Sequence, residues 1–146
     1  MTDLAGFTGL VARDHGLAVV STLRPDATIS SSVVNAGVLP HPTTGEEAVA
    51  FVSRGDARRL DYLRATPRVT VLLRAGWQWA GVEGRADLIG PDDPVDGIDA
   101  ERRRLLLREV FTAAGGTHDD WPTYDAVMAS ERRVVVLVTP ERVYGV

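Results

Sequence analysis

The chain contains neither cysteine nor lysine in its 146 residues. Without cysteine there are no disulfides, thiolate metal sites or cysteine nucleophiles. Without lysine there is no Schiff-base lysine and no P-loop lysine. All 16 cations are arginine, a bias of the kind a GC-rich genome produces. No apolar run approaches the roughly 18–20 residues that a membrane span needs. The N-terminus has neither a basic start nor a long apolar region, so no signal peptide and no membrane partner are expected, and the expected location is cytoplasmic. The three histidines, His15, His41 and His118, each sit beside a turn and none pairs with another at helical spacing, so no metal site is expected. No G-x-S-x-G elbow surrounds a serine, and no G-x-G-x-x-G turn follows a strand; these absences argue against a serine hydrolase and a Rossmann domain.

What is present describes an ordinary globular chain. Apolar residues make up 45% and charged residues 25%, and the length suits one domain over residues 1–146 with a real core. A net charge of -4 argues against non-specific nucleic-acid binding.

Leu4, Phe7, Leu10 and Val11 recur at helical spacing, with His15-Gly16 closing the segment, so a helix is expected to lie on the core as a lid. Strands follow over 17–23 and 28–39, joined by the turn Arg24-Pro25-Asp26-Ala27. Residues 40–47 read as a polar loop, and 48–53 as a third strand of small apolar residues. A fourth strand over 69–74 points Val69, Val71 and Leu73 to one face. Ala75-Gly76 reads as a turn, and a fifth strand over 77–89 carries Gly81 and Gly84, which predict a bulge or a close backbone approach. Trp77 and Trp79 alternate onto one face of that strand, where packing or an interface is the expectation and a wall for a planar ring the alternative. Helices are expected over 98–114, with Leu107, Val110, Phe111 and Ala114 as the stripe, and over 121–129, capped by Asp119 or Asp120 with Pro122 near its start. The run Val134-Val135-Val136-Leu137-Val138 predicts a strand buried on both faces, between a barrel interior and a helix or a partner. Thr139-Pro140-Glu141 reads as a turn before a last strand over 142–146. Six or seven hairpin-connected strands with late helices predict an antiparallel β-barrel with peripheral helices.

The stretch 51–69 carries the candidate chemistry. It reads as the end of a strand at Ser53, a turn at Gly55 with a special backbone angle, an N-cap at Asp56, a helix packed through Ala57, Leu60 and Leu63, and a stop at Pro67. Ser53, the free amides of the helix start, Arg58 and Arg59 would together suit an anion such as a phosphate. An ordinary solvated basic helix start is the alternative on spacing alone.

Four segments carry a resemblance. The hairpin Thr22-Leu23-Arg24-Pro25-Asp26-Ala27-Thr28, then Ser30-Ser31-Ser32-Val33-Val34, resembles that of the pyridoxamine 5'-phosphate oxidase-like split β-barrel proteins. The segment from Arg59 through Leu63 and Pro67 to Val69 is similar to that family's basic-x-x-Asn-Leu-x-x-x-Pro-x-Val, and Val82-Glu83-Gly84-Arg85-Ala86 to its Val-Glu-Gly-x-Ala strand. The ending from Glu131 to Gly145 resembles the branch that uses the deazaflavin coenzyme F420. The resemblance spans nearly the whole chain. It implies a split-barrel homodimer with a cofactor, coenzyme F420 or alternatively FMN, at each subunit interface. Carried over, Ser32, Val33, Val34 and Asn35 would lie along the ring or its linker, and Ser53, Arg58 and Arg59 would hold the phosphate. The departures are Arg59 for the usual lysine, Tyr62 for asparagine, and Ser32 and Val34 for a proline and a large aromatic of the deazaflavin branch. Ser31 or Ser32 stands where FMN-dependent oxidases carry an arginine, which weighs against a true pyridoxamine phosphate oxidase.

The function this implies is hydride transfer between coenzyme F420, or FMN, and a small organic substrate. The cofactor would carry the chemistry, and no residue is assigned as catalytic. A cofactor-binding carrier of the same fold is the alternative, and a structural dimer with a vestigial pocket a third reading.

Overall fold

A computed structural model describes residues 3–145. Ten elements follow in order: α1 (Ala5–Val11), β1 (Leu17–Leu23), β2 (Ile29–Pro40), β3 (Glu47–Ser53), α2 (Arg58–Ala65), β4 (Arg68–Ala75), β5 (Gln78–Ile89), α3 (Ala100–Ala113), α4 (Trp121–Ser130) and β6 (Val134–Gly145). The strands close into a barrel in the order β1-β2-β3-β6-β5-β4, with β4 returning to β1. Every pairing is antiparallel. This is the expected split barrel with peripheral helices. Among the described residues no helix is long and apolar enough to cross a membrane.

Strand periodicity divides the apolar residues into two cores. Side chains that turn inward, such as Val20, Phe51, Val71, Val82 and Val136, fill the barrel. Leu4, Phe7 and Leu10 of the first helical segment and Leu60 and Leu63 of α2 join that core. α1 leads into the Leu17 end of β1, whereas α2 leads into the Arg68 end of β4, beside Thr22 near the other end of β1. The two short helices therefore sit at opposite ends of the β1–β4 pair. A second core lies outside the barrel, where Leu106, Leu107, Val110 and Tyr124 from α3 and α4 cover Leu39, Ala50, Val135 and Leu137. Gly37 permits this cover, because a Cβ there would lie 2.3 Å from the backbone of Ala113 at the end of α3.

β6 shows the division most clearly. Val134, Val136 and Val138 belong to the barrel core, and Val135 and Leu137 to the layer beneath the helices. The run is thus buried on both faces within one chain, between barrel interior and helix. It leaves no apolar surplus for a partner.

Several sequence expectations need correction. Residues 139–141 make no turn; β6 runs on, and the register shifts opposite Glu83 and Gly84. Glu83 pairs with Arg142 and Gly84 with Pro140, so Glu141 is the extra residue of a bulge, the position in a sheet that tolerates a proline. Val146, placed at the end of the last strand, lies outside the described residues. The β4–β5 turn falls at Gly76-Trp77, with Gly76 at φ 63°, and not at Ala75-Gly76. Trp77 consequently leaves the strand and stands 96% exposed, while Trp79 is half-buried with its ring edge-on to Tyr144. α1 ends at Val11, not near Gly16; the left-handed pair His15 and Gly16 then returns the chain, and the Gly16 amide donates to the Val11 carbonyl.

Candidate functional site

β2 and β3 bring two hydroxyls to one end of the barrel. Ser32 stands opposite Val20 of β1, and Ser53, the last residue of β3, stands opposite Val134 of β6. Ser53 is 1% exposed, and its hydroxyl donates to the Arg54 carbonyl at 3.2 Å. The chain then turns through 54–57 into α2. Gly55 serves this turn by its size and not by its φ, which is not positive: a Cβ there would lie 2.3 Å from the Arg132 carbonyl. Asp56 is not the N-cap. Ala57 takes that position in an extended conformation with no side-chain cap, and Asp56 pairs instead with Arg54 at 3.3 Å.

This entry angle carries Arg59 back over the barrel end. Its Nη1 donates to Ser53 Oγ at 2.9 Å, and Nε and Nη2 donate to Ser32 Oγ at 3.2 and 3.1 Å. The guanidinium joins β2, β3 and α2 and still has two N–H groups to spare of its five. Among the described residues it has no ion-pair partner, and burial is the main cause that lowers its pKa, followed by the like charge of Arg133. A half-buried, oriented cation beside a second cation and without a carboxylate is an arrangement that an anion completes. Its surroundings therefore fit a cofactor phosphate.

The other sequence candidates are distributed by strand alternation. Ser32, Val34 and Ala36 point into the barrel, and Val34 is only 8% exposed in its core. Val33 and Asn35 point outward, Val33 being 63% exposed. The run Ser32-Val33-Val34-Asn35 thus presents two faces and not one continuous lining. Asn35 Nδ2 donates to the His15 carbonyl at 2.7 Å. Arg58 is exposed, and its side chain makes no hydrogen bond or ion pair among the described residues. Ser32, Ser53 and Arg59 form one cluster; Arg58, Val33, Val34 and Asn35 lie outside its hydrogen bonds.

Arg133 went unnoticed in the sequence. It stands just before β6, where the outward phase of Val135 and Leu137 extends back to it, and that phase was the available signal. It borders a cavity of about 330 Å³ between the outer face of β2 and β3 and the α3–α4 pair. Asn35, Val52, Phe111, Tyr124 and Met128 also line this cavity. Burial pushes the Tyr124 phenol up to about 12, and its hydroxyl donates to the Leu107 carbonyl at 3.0 Å. Tyr124 is therefore a neutral phenol at ordinary pH, with its hydroxyl engaged by the Leu107 carbonyl.

No protein-family model matches the chain. Solved structures do resemble it. A pyridoxamine 5'-phosphate oxidase-related, FMN-binding protein from Nostoc punctiforme aligns over 98% of this chain and 83% of its own, at 13% identity and a TM-score of 0.71. The conserved hypothetical protein Rv2991 from Mycobacterium tuberculosis aligns over 99% and 84%, at 17% identity and a TM-score of 0.67. A structure described as an F420 reductase aligns over 93% and 94%, at 17% identity and a TM-score of 0.62.

Proposed function

We propose that this chain, which has the split-barrel fold of pyridoxamine 5'-phosphate oxidase-like, FMN-binding proteins, is an oxidoreductase that moves a hydride between coenzyme F420 and a small organic substrate, with FMN as the alternative cofactor. The observation that carries the reading is the Arg59 guanidinium, held by Ser32 and Ser53 and left without a carboxylate. The similarity to an F420 reductase and to an FMN-binding protein supports a cofactor of this class.

Arg59 would bind the phosphate, with Ser53 and Ser32 fixing its orientation. The α3–α4 pair shields one side of the outer face of β2 and β3 from water. The bound ring would supply the hydride chemistry itself; the protein's part is to bind, orient and exclude solvent. F420 is favoured because β2 presents Ser31 and Ser32 where FMN-dependent oxidases carry an arginine. We further propose a homodimer. The outward faces of β1 and β2 pair Val19 with Val33 and Leu23 with Ile29, all large apolar side chains left in solvent, and Ile29 is 66% exposed.

Single-turnover mixing tests the catalytic step. Reduced F420 bound to the protein should be reoxidised by an organic acceptor faster than free reduced F420. Tight binding with no acceleration across a panel of acceptors would make the protein a carrier.

A further inference from the structure

The cavity beside Arg133 is distinct from the Arg59 cluster, and its chemistry is specific. Arg133 is tied to Glu131 through Nη2 alone, at 3.0 and 3.3 Å. Its Nε is buried and has no hydrogen-bond partner among the described residues. Nη1 also makes no hydrogen bond among the described residues, so the guanidinium that borders the cavity has donors to spare for an acceptor. Glu131 offsets much of the Arg133 charge, so a multiply charged group would meet too little compensation. A single negative charge suits the part of the Arg133 charge that Glu131 leaves uncompensated.

The walls define the rest of the molecule that fits. On one side lie the aromatic rings of Phe111 and Tyr124, with centroids 5.1 Å apart; on the other lies the sheet, through Val52. Trp121 packs edge-on against both rings, which holds them in place. The result is a slot between a sheet and an aromatic wall. At about 330 Å³ it lies at the small end of ligand pockets, which run from about 300 to 1,000 Å³. That size suits one substituted ring.

We propose that this cavity is a binding site for a small planar carboxylate, an aromatic or conjugated monoacid, and that the Arg133 guanidinium reads its carboxylate. In calling that acid the substrate side of the reaction, the inference rests on the oxidoreductase reading; the binding itself does not.

The test uses benzoate and its uncharged analogue benzamide as probes, titrated by ligand-observed NMR into the full-length protein without cofactor. Benzoate should bind at least ~10-fold more tightly than benzamide. Arg133→Met should abolish that preference, Arg133→Lys should restore part of it, and Arg59→Ala should leave benzoate binding intact. Met128→Phe, which fills the cavity from α4, should weaken both probes and covers the case in which Arg133→Met fails to fold. Absence of benzoate binding to the wild type, a preference that survives Arg133→Met, or loss of benzoate binding in Arg59→Ala would each overturn the inference. Parallel titration with F420 and FMN keeps the two readings apart. If neither cofactor binds the wild type, the oxidoreductase reading fails while Arg133-dependent benzoate binding still upholds the site.

Discussion

Arg59 and Arg64 belong to one short helix and meet opposite surroundings. Arg59 spends its hydrogen bonds on two serines and has no acid partner, whereas Arg64 grips Asp93 through Nε and Nη2 at 3.0 and 2.8 Å and also reaches Asp61. Arg59→Ala should therefore weaken binding of a phosphate-bearing cofactor by at least ~20-fold, near the low end of what a desolvated charged contact supplies. Its stability should fall by no more than about 1 kcal/mol, because the lost hydrogen bonds are offset by relief of a half-buried cation beside Arg133. Arg64→Ala should do the reverse: unchanged affinity, and a loss of up to about 1 kcal/mol from the freed contact with Asp93. Urea unfolding and cofactor titration of both variants check the contrast. The cluster was legible in the sequence as residue types around a strand end and a helix start, which is why Ser53 and Arg59 could be named. Backbone details were not. Nothing local distinguishes Asp56 from Ala57 as the cap once the chain must enter the helix beside Arg132, and Gly55 looks like a left-handed turn residue although its task is to clear a carbonyl.

At the scale of elements, α4 is fastened to α3 by charge as well as by the outer core. Asp125 of α4 accepts from Arg104 at 2.7 Å and from Arg108 Nε at 2.9 Å on α3. Arg108 lies over the Trp121 ring, 5.2 Å from its centroid. The hydrogen bonds from Arg108, with those from Arg104, hold the Asp125 carboxyl below the usual carboxylate range despite its partial burial. A depressed folded-state pKa contributes stability above the unfolded value of about 3.9, and that contribution is lost as pH falls through the folded value. Thermal melts between about pH 5 and about pH 2 should thus show a steeper loss for the wild type than for Asp125→Asn, which lacks the titrating group. Equal slopes would mean that apolar packing alone holds α4. The elements themselves were largely readable, because strand alternation and helical spacing are local signals: β1 begins and ends where expected, and Asp120 caps α4. β6 was split in two because Pro140 breaks strands almost everywhere except at a bulge, and the partner that creates this bulge, Gly84, is more than fifty residues away in sequence.

For the whole molecule, the barrel was legible from hairpin connections and the doubly buried run 134–138, whereas a homodimer is an expectation that the resemblance supplies. The homodimer proposed above would use a different surface from the one that run suggests. It is not the 134–138 run of β6, which is covered, but the exposed apolar rows of β1 and β2. The protein should run in light scattering at twice its 15.7 kDa chain mass. Ile29→Glu together with Val19→Glu should yield a folded monomer, since charges on those rows oppose close apolar contact. If the double variant remains dimeric, the interface lies elsewhere. The central claim, that the Ser32–Ser53–Arg59 cluster anchors a deazaflavin or flavin by its phosphate, is tested most directly by equilibrium titration of F420 and FMN into the wild type and Arg59→Ala. The prediction is that wild-type protein binds F420 at least ~10-fold more tightly than FMN and that Arg59→Ala loses at least ~20-fold of the F420 affinity. Binding of neither cofactor, or equal binding by the two proteins, would contradict it.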